Sequence, residues 1–336
     1  MRVGLNPNKN IFQEKSRYIH QIVIPVYIPH HQGYFIDSFK ILTLCLESLL
    51  ETIHSKTFVT IVNNGSSKKV EDYLNQLRTQ GRIHELIHSE NIGKLNAILK
   101  GLVGNNIELV TISDADVLFL PNWQIETVKV FDNVPQAGVV GIVPQFKMFV
   151  ANCGNIIYDN FWNNKMTFIP VKNINALTHF YDSIGWDRSY NNNYLKYNLG
   201  LKVKQDYHVL IGSGHFVATY KKDMFNDITS YIGFKLGGKS LEFLDRAPLK
   251  NGYWRLTTED NYAYHMGNTF EDWMQINSSL VKEKYSYASN FNINRKTGKL
   301  AYFIKNRVIP KLMSIDFVYK LFLKYKRLPK HMIKGY

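Results

Sequence analysis

The sequence is poor in cysteine: among its 336 residues only Cys45 and Cys153 are cysteines. Two cysteines so far apart form neither a disulfide framework nor a zinc-binding set. Cys45 falls within an apolar pattern of helical spacing, so we predict that it lies in the core. This cysteine content favours a reducing, cytoplasmic compartment for the protein.

The sequence also lacks long apolar runs. The first ten residues, MRVGLNPNKN, contain no apolar segment typical of a signal peptide. No stretch approaches the roughly 18 apolar residues that a bilayer-spanning helix needs. Internal repeats and long low-complexity segments are absent from the sequence as well. With 45% apolar residues, the chain is expected to bury a sizeable core without spanning a membrane or carrying an export signal.

Acidic residues are scarce near the C-terminus. Residues 281–336 contain 11 Lys and 3 Arg against Glu283 and Asp316, which is a net charge of +12. The whole chain carries +14, so the first 280 residues contribute only +2. The basic character therefore belongs to the tail and not to the body. Because the sequence also has no nucleic-acid-binding motif, we exclude nucleic acid as a partner.

Strand and helix patterns alternate through residues 18–145. Apolar strands are predicted at 20–27, 58–62, 83–88 and 108–113, and helices follow the first three of them. Such alternation predicts an α/β fold with a Rossmann-like, mostly parallel central sheet and helices on both faces. Ligands of such sheets bind beyond the carboxyl ends of the strands, where three polar turns of this sequence are expected to converge.

The segment VTISDADVLFLPNW (residues 110–123) places two carboxylates, Asp114 and Asp116, directly after a buried strand. Alternate residues of an extended segment point the same way, so both carboxylates can reach one cation. Mg²⁺ and Mn²⁺ prefer oxygen ligands and keep coordination positions open for phosphate oxygens. The alternative is a solvated turn with two acids, but the position at the end of an apolar strand favours a metal site.

Four motifs together resemble one protein family. IVIPVY, IVNNGS, ENIGKLNAILKGL and ISDADVLFLPNW occur in the order and spacing of the GT-A-fold inverting glycosyltransferases of the large family-2 type. The resemblance covers residues 20–145 well and 205–270 loosely. It implies a GT-A fold and the transfer of a sugar from a nucleotide-sugar donor to an acceptor hydroxyl, with Mn²⁺ or Mg²⁺ as cofactor.

The resemblance also implies which residues bind the donor. In the family these are the ends of the first two strands, an Asn-X-Gly segment that opens a helix, and the Asp-X-Asp. The matching residues here are Pro25, Val26, Tyr27, Asn63, Asn64, Asn91, Gly93, Lys94, Asn96, Asp114, Ala115 and Asp116. Where the family usually has an aspartate, this chain has Asn63 and Asn64, whose amides match the donor and acceptor edge of uracil. We therefore expect a UDP-sugar, and the alternative is a purely structural Asn-Gly turn.

A second constellation, TTEDNYAYHMGN (residues 257–268), is implied to serve catalysis. By the same resemblance, Asp260 is the general base that takes the proton of the acceptor hydroxyl, with Glu259 as its neighbour. His265 is implied to complete the metal site as a neutral imidazole ligand. His215, in the glycine-containing segment GSGHF, is a candidate contact of the donor or acceptor. An exposed acidic turn and packed histidines are the structural alternatives.

We divide the chain into a catalytic domain, residues 1–280, and a basic helical segment, residues 281–336. Within the domain, residues 18–145 form the nucleotide-sugar half and residues 146–280 the acceptor half. The basic segment is predicted to be amphipathic, with Phe317, Val318, Leu321, Phe322, Tyr325 and Leu328 opposite Lys320, Lys324 and Arg327. This pattern predicts a helix on an anionic membrane surface or, alternatively, a helix docked on the catalytic domain.

The sequence as a whole predicts an inverting glycosyltransferase with a glycan or glycolipid acceptor, acting in polysaccharide or glycolipid assembly. The expected location is cytoplasmic or peripheral at the inner face of the membrane. A non-catalytic nucleotide-sugar- or glycan-binding module on the same fold is the alternative, which a degraded Asp-X-Asp would favour. A nucleotidyltransferase is less well supported, because residues 25–33 lack a glycine-rich, basic phosphate loop.

Overall fold

The computed structural model of the chain describes residues 4–12, 16–226, 230–236, 238–275, 291 and 297–336. Its strands, numbered along the chain, are β1 (His20–Val26), β2 (Thr57–Asn64), β3 (Glu85–Ser89), β4 (Leu109–Ser113), β5 (Val117–Phe119), β6 (Ala137–Gly141), β7 (Met166–Pro170), β8 (Tyr197–Lys204), β9 (Tyr207–Ile211), β10 (Val217–Lys221), β11 (Trp254–Thr258) and β12 (Ala263–His265). In this described part, ten strands form one sheet in the order β3-β2-β1-β4-β10-β6-β11-β9-β8-β7, and β12 pairs with β5 as a separate ribbon.

Helices cover both faces of the sheet, as the alternating pattern predicts. They are α1 (Ser38–Thr52), α2 (Lys68–Thr79), α3 (Lys94–Leu102), α4 (Trp123–Asn133), α5 (Gly154–Asp159), α6 (Ile174–Ser183), α7 (Gly238–Lys250), α8 (Lys299–Phe303), α9 (Ile309–Met313) and α10 (Asp316–Tyr325). Ile22 and Ile24 of β1 pack in one core with α1, while Val23 between them packs in another core with α3. Strands buried on both faces in this way are apolar at nearly every position.

The two halves of the sheet differ in strand direction. β3, β2, β1 and β4 are mutually parallel, so their carboxyl ends meet at one edge of the sheet. β10 runs antiparallel between β4 and β6, and β9, β8 and β7 continue antiparallel beyond β11. The predicted α/β class with a large sheet between helices is confirmed. The parallel arrangement holds for the nucleotide-sugar half, whereas the acceptor half is mixed.

The C-terminal helices dock on the catalytic domain through one side of α10. Phe322 and Leu323 of α10 are buried, and they belong to the same core as Phe149 and Phe168 of the domain. The ring of Phe149 lies 6.1 Å from that of Phe322. For this side of the tail, the structure thus favours the alternative in which the helix docks on the catalytic domain. The predicted boundary at residue 281 lies outside the described residues.

Buried Lys326, just after α10, fixes this docking. Its ammonium donates to the carbonyl oxygens of Asn160, Phe161 and Asn163 at 3.1, 2.6 and 3.3 Å. The backbone N–H of Phe168 donates to the Lys326 carbonyl at 2.8 Å. A buried charge is tolerated only when its hydrogen-bonding capacity is filled, and three carbonyl oxygens fill that of an ammonium. In the described part of the chain, the structure contains no helix that is long and apolar enough to cross a membrane.

Candidate active site

A cavity of about 420 Å³ lies at the edge where the parallel strands end. It is lined by Pro25, Val26, Tyr27 and Ile28 after β1, Asn64 after β2, Asn91 and Lys94 before and in α3, and Asp114, Ala115 and Asp116 after β4. Tyr34, Phe35, Ser38, Ile41, Lys235, Leu236, Gly267 and Asn268 complete the wall. The cavity forms here because parallel neighbouring strands deliver their following loops to one place. Most of the predicted donor-binding residues therefore meet in a single pocket.

The two carboxylates of the Asp-X-Asp lie on the floor of this cavity. Asp114 forms an ion pair with Lys94, and both side chains are about one-fifth exposed. The Oδ1 atom of Asp116 is buried without a hydrogen-bond partner among the described residues. Burial raises the pKa of Asp116, and the Asp114 carboxylate adds to this effect although His265 and Lys94 oppose it. Two crowded carboxylates of this kind are stabilised by a cation between them.

His265 lies between Ser183 and Asp116. The hydroxyl of Ser183 donates its proton to the carbonyl of Phe180 at 2.7 Å, so it accepts the contact at 3.0 Å from an N–H at Nδ1 of the His265 ring. Nε2 lies 3.5 Å from Oδ2 of Asp116. This contact is an ion pair when the imidazole is protonated and a pair of facing acceptors when it is neutral. That arrangement fits a cation bound between a histidine and a carboxylate, with Ser183 setting the tautomer.

These residues are ligands of the type that Mn²⁺ and Mg²⁺ accept. Among the described residues no group of three His, Cys, Asp or Glu side chains is arranged so that it could hold a metal ion. The ammonium of Lys94 is paired with the Asp114 carboxylate. Asp114, Asp116 and His265 nevertheless carry the types of donor atom that these metals accept.

Asn63, unlike Asn64, does not reach the cavity. Asn63 is buried, its Nδ2 lies 3.0 Å from Nδ1 of His88, and its Oδ1 accepts from the N–H of Ser66 at 3.0 Å. Both ends of the Asn63 amide are therefore engaged within the protein, and Asn63 is not among the predicted donor-binding residues that line the cavity. Asn64 lines the cavity, and its Oδ1 accepts from the N–H of Ile92 at 3.0 Å.

Gly93 and Asn96 hold a strap, residues 230–236, against the start of α3. Both ends of the Asn96 amide bind Ile232, donating to its carbonyl at 2.8 Å and accepting from its N–H at 2.9 Å. Gly93 has a φ of +87°, and a Cβ there would lie 2.8 Å from Cα of Lys235. Glycine is thus required for this close approach. Asn96 and Gly93, predicted to contact the donor, instead place Lys235 and Leu236 in the cavity wall.

The acidic pair lies in a different cavity. Glu259 and Asp260 follow β11 at the same edge of the sheet, but they line a smaller cavity of about 160 Å³. Its other residues are Glu126, Lys129, Lys172, Asp206, Tyr207, Thr258 and Tyr262. Asp260 lies 3.7 Å from the ammonium of Lys172, and Glu259 lies 3.4 Å from His208. The structure therefore does not bring the predicted base together with Asp114 and Asp116.

His215 is next to the Asp-X-Asp, in a charged network that the sequence analysis missed. The N–H of Asp114 donates to the carbonyl of Phe216, the neighbour of His215, at 2.7 Å. His215 Nδ1 lies 3.6 Å from Asp245, and buried Arg255 donates to Asp245 at 2.6 Å. Burial alone would raise the pKa of Asp245, but His215 and Arg255 hold it below its usual value. An arginine in the apolar strand WRLTT is the sequence signal for such a buried acidic partner.

A family model for glycosyl transferase family 2 matches residues 22–224, which is more than half of the chain. The chain belongs to glycosyl transferase family 2. The match includes the ends of β1, β2 and β4 and the start of β10, so it covers most of the cavity floor described above. It ends before the segment that contains Glu259, Asp260 and His265.

Solved structures of nucleotide-sugar transferases are similar to the chain. S. aureus TarS 1-349 in complex with UDP-GlcNAc is 13% identical over 94% of this chain and 69% of that one, with a TM-score of 0.44. The mannosyltransferase PcManGT from Pyrobaculum calidifontis, with GDP-Man and Mn²⁺, is 14% identical over 72% and 56%, with a TM-score of 0.41. In its match to a second structure, that of S. aureus TarS 1-349 described without a ligand, the chain spans 60% of that structure's length. A search of curated proteins found no significant match.

Proposed function

We propose that this family-2 glycosyltransferase moves a sugar from a UDP-sugar to an acceptor hydroxyl, with inversion at the anomeric carbon and with Mn²⁺ or Mg²⁺ as cofactor. The observation that carries the proposal is the contact between Nε2 of His265 and the carboxylate of Asp116, which lines a cavity that suits a nucleotide. With the imidazole neutral, both groups are acceptors that a cation between them would bind, and a nucleoside diphosphate would bring such a cation into the cavity.

The bound cation would supply charge stabilisation for the diphosphate that leaves. Asp116 and His265 would hold it from one side, with Asp114 as the third ligand. Lys94 lies at the N-terminal end of α3, where backbone N–H groups and an ammonium both favour phosphate. The ion pair between Lys94 and Asp114 would then open on donor binding, which frees the ammonium for phosphate and the carboxylate for the cation.

The aromatic side of the cavity is suited to the nucleoside. Tyr27 and Tyr34 are 41% and 70% exposed, so their rings are accessible for stacking on a base. Asn64 is the amide that would meet the base edge, because it lines the cavity and Asn63 does not. Its Oδ1 accepts from Ile92 and its Nδ2 donates to Asn91, and each of these atoms has the capacity for one further hydrogen bond. An amide offers both a donor and an acceptor, as uracil does, which is the reason for preferring UDP.

The acceptor would enter from the side of the 146–280 half, as a glycan or a glycolipid in polysaccharide or glycolipid assembly. Asp260 remains the proton acceptor proposed from the resemblance, although its cavity is separate from that of the donor. His215 is a competing candidate for this proton, since it lies beside the strand of Asp114. Comparing turnover of the Asp260→Asn and His215→Asn variants separates the two assignments.

The proposal is tested by thermal unfolding of the full chain with UDP, GDP and dTDP, each with and without Mn²⁺. A ligand that binds the native state raises the unfolding temperature, and the shift grows with the ratio of the ligand concentration to its Kd. The expected result is a shift with UDP that Mn²⁺ enlarges and a smaller shift with the other two nucleotides. A larger shift with GDP would overturn the UDP assignment, and equal shifts with and without Mn²⁺ would overturn the cofactor.

A further inference from the structure

One row of apolar side chains on the C-terminal helices faces solvent. Phe317, Leu321 and Tyr325 are spaced four residues apart along α10, so they form a single row on the helix surface. They are 70%, 49% and 44% exposed. The opposite side of the helix carries the buried pair Phe322 and Leu323. The helix is thus apolar on two sides, and its docking on the domain uses only one of them.

The row continues onto the catalytic domain. The ring of Trp162, which is 80% exposed, lies 6.2 Å from that of Tyr325. At the other end, Ile315 and Leu312 are exposed in and before the turn that leads into α10. We call these residues the outer row: Leu312, Ile315, Phe317, Leu321, Tyr325 and Trp162. A contiguous exposed apolar surface of this kind marks an interaction site.

The charges around the outer row are almost all positive. Residues 297–336 contain eight Lys and two Arg against Asp316, a net charge of +9. Lys311, Lys324 and Arg327 are exposed beside the row. Lys320 is paired with Asp316 and Lys305 with Asp159, both at 2.6 Å, and Lys326 is buried in the docking contact. Lys311, Lys324 and Arg327 therefore contribute positive charge at the exposed surface beside the row.

We infer that the outer row is a surface for an anionic lipid bilayer. Exposed Trp and Tyr rings suit the boundary between lipid and water, and Lys and Arg beside them attract anionic headgroups. The row stands on the outside of a helix, and neither of the two cavities described above includes any of its residues. The outer row fits a fluid lipid surface better than it fits a folded protein partner, because such a partner would need a matching groove. The inference is independent of the proposed function, because it needs neither donor nor metal.

The test is co-sedimentation of the full chain with vesicles of phosphatidylcholine, with and without about one-third phosphatidylserine. The wild type is expected to sediment with the anionic vesicles and much less with the neutral ones. Binding should weaken as NaCl rises, because exposed charges are screened over about 10 Å at 0.1 M salt. The Phe317→Ser/Leu321→Ser variant should lose binding to the anionic vesicles.

The control variant, Val103→Ser/Ile174→Ser, removes two exposed apolar side chains outside the outer row, one directly after α3 and one at the start of α6, and should bind like the wild type. The Lys311→Gln/Lys324→Gln variant keeps the apolar row and should bind about 30-fold more weakly, at roughly a fivefold loss per lysine. It also keeps the test valid if the serine variant does not fold. Wild type that stays in the supernatant, or serine and glutamine variants that bind as tightly as the wild type, would overturn the inference. So would a wild-type dimer that Phe317→Ser/Leu321→Ser makes monomeric, since a second copy of the chain would then cover the row.

Discussion

Replacing Ser183 by alanine removes the hydrogen bond that sets which ring nitrogen of His265 carries the proton. The Ser183 hydroxyl donates to the Phe180 carbonyl and accepts from Nδ1 of His265, which in the neutral imidazole leaves the Nε2 lone pair on the side of Asp116. In the alanine variant this preference is lost, and the ring keeps its packing against Phe180 and Phe216 without the hydrogen bond that fixes its tautomer. A metal that binds through Nε2 must then restore the tautomer.

The size of the effect follows from this role. Loss of the partner that orients a metal-binding histidine typically lowers metal affinity about 10- to 100-fold, which corresponds to about 1.4–2.7 kcal/mol. The same substitution removes both hydrogen bonds of this hydroxyl, to Phe180 and to His265, and is expected to lower folding stability by about 1–3 kcal/mol. Metal affinity is therefore compared at a temperature at which both the wild type and the variant are folded, so that the loss of affinity is separated from the loss of stability.

The measurement is titration of Mn²⁺ into the UDP-bound protein by calorimetry. Thr178→Ala is the matched control, because its hydroxyl on the same helix donates to the Ile174 carbonyl and lies away from the site. Unchanged Mn²⁺ affinity in Ser183→Ala would refute the tautomer argument. An equal loss in both variants would show that α6 as a whole, and not the hydrogen bond, supports the site.

Two further predictions concern catalysis and pH. Asp260→Asn should keep donor binding nearly intact and lower turnover by roughly 10²-fold or more, and single-turnover assays can check this. Unchanged turnover in Asp260→Asn together with a large loss of turnover in His215→Asn would assign the base to His215. Burial lowers the pKa of His54 to about 4, so the unfolded chain binds a proton at this residue between about pH 6.5 and 4 that the folded chain does not. Burial also lowers the pKa of His20 well below its usual value, which acts in the same direction. Unfolding free energy should therefore fall by about 3 kcal/mol for His54 over that range. Urea unfolding should show a smaller pH dependence in His54→Asn than in the wild type, and equal pH dependence would contradict the assignment to His54.

Much of the fold was predictable because it depends on local patterns. β1, β2 and β4 are largely apolar runs, and the sheet buries both of their faces, whereas β3 at the edge of the sheet is only partly buried. Since parallel strands must end at one edge, the meeting of Tyr27, Asn64 and Asp114 in one cavity follows from order along the chain alone. The mixed direction of the acceptor half was not predictable, because its short strands carry no signal for which neighbour they pair with.

Side-chain roles were harder to predict than side-chain positions. Asn63 and Asn64 are adjacent and chemically identical, yet one holds the turn and the other lines the cavity, because successive residues of a strand point to opposite faces. Asn96 lies in the expected segment but binds Ile232, more than a hundred residues away along the chain. Contacts of this kind depend on tertiary packing, which a local motif does not encode.

The tail shows the same limit. Its apolar residues recur at helical spacing, and the sequence left a membrane helix and a docked helix as alternatives. In the structure Phe322 and Leu328 pack on the domain, whereas Phe317 and Leu321 face solvent. The apolar residues are therefore divided between two sides of the helix, and a one-face description of the pattern is wrong. The periodicity predicts the helix, but which side of the helix is buried depends on how it packs against the domain.

Binding of Mn²⁺ to the UDP complex of the Asp116→Ala variant tests the central claim most directly. Asp116 contributes a carboxylate that faces Nε2 of His265, and one of its oxygens has no hydrogen-bond partner among the described residues. We predict that UDP with Mn²⁺ raises the unfolding temperature of the wild type above the value with UDP alone, and that Asp116→Ala abolishes this metal-dependent part. A metal response in Asp116→Ala equal to that of the wild type would contradict the account, because the cation would then be held elsewhere.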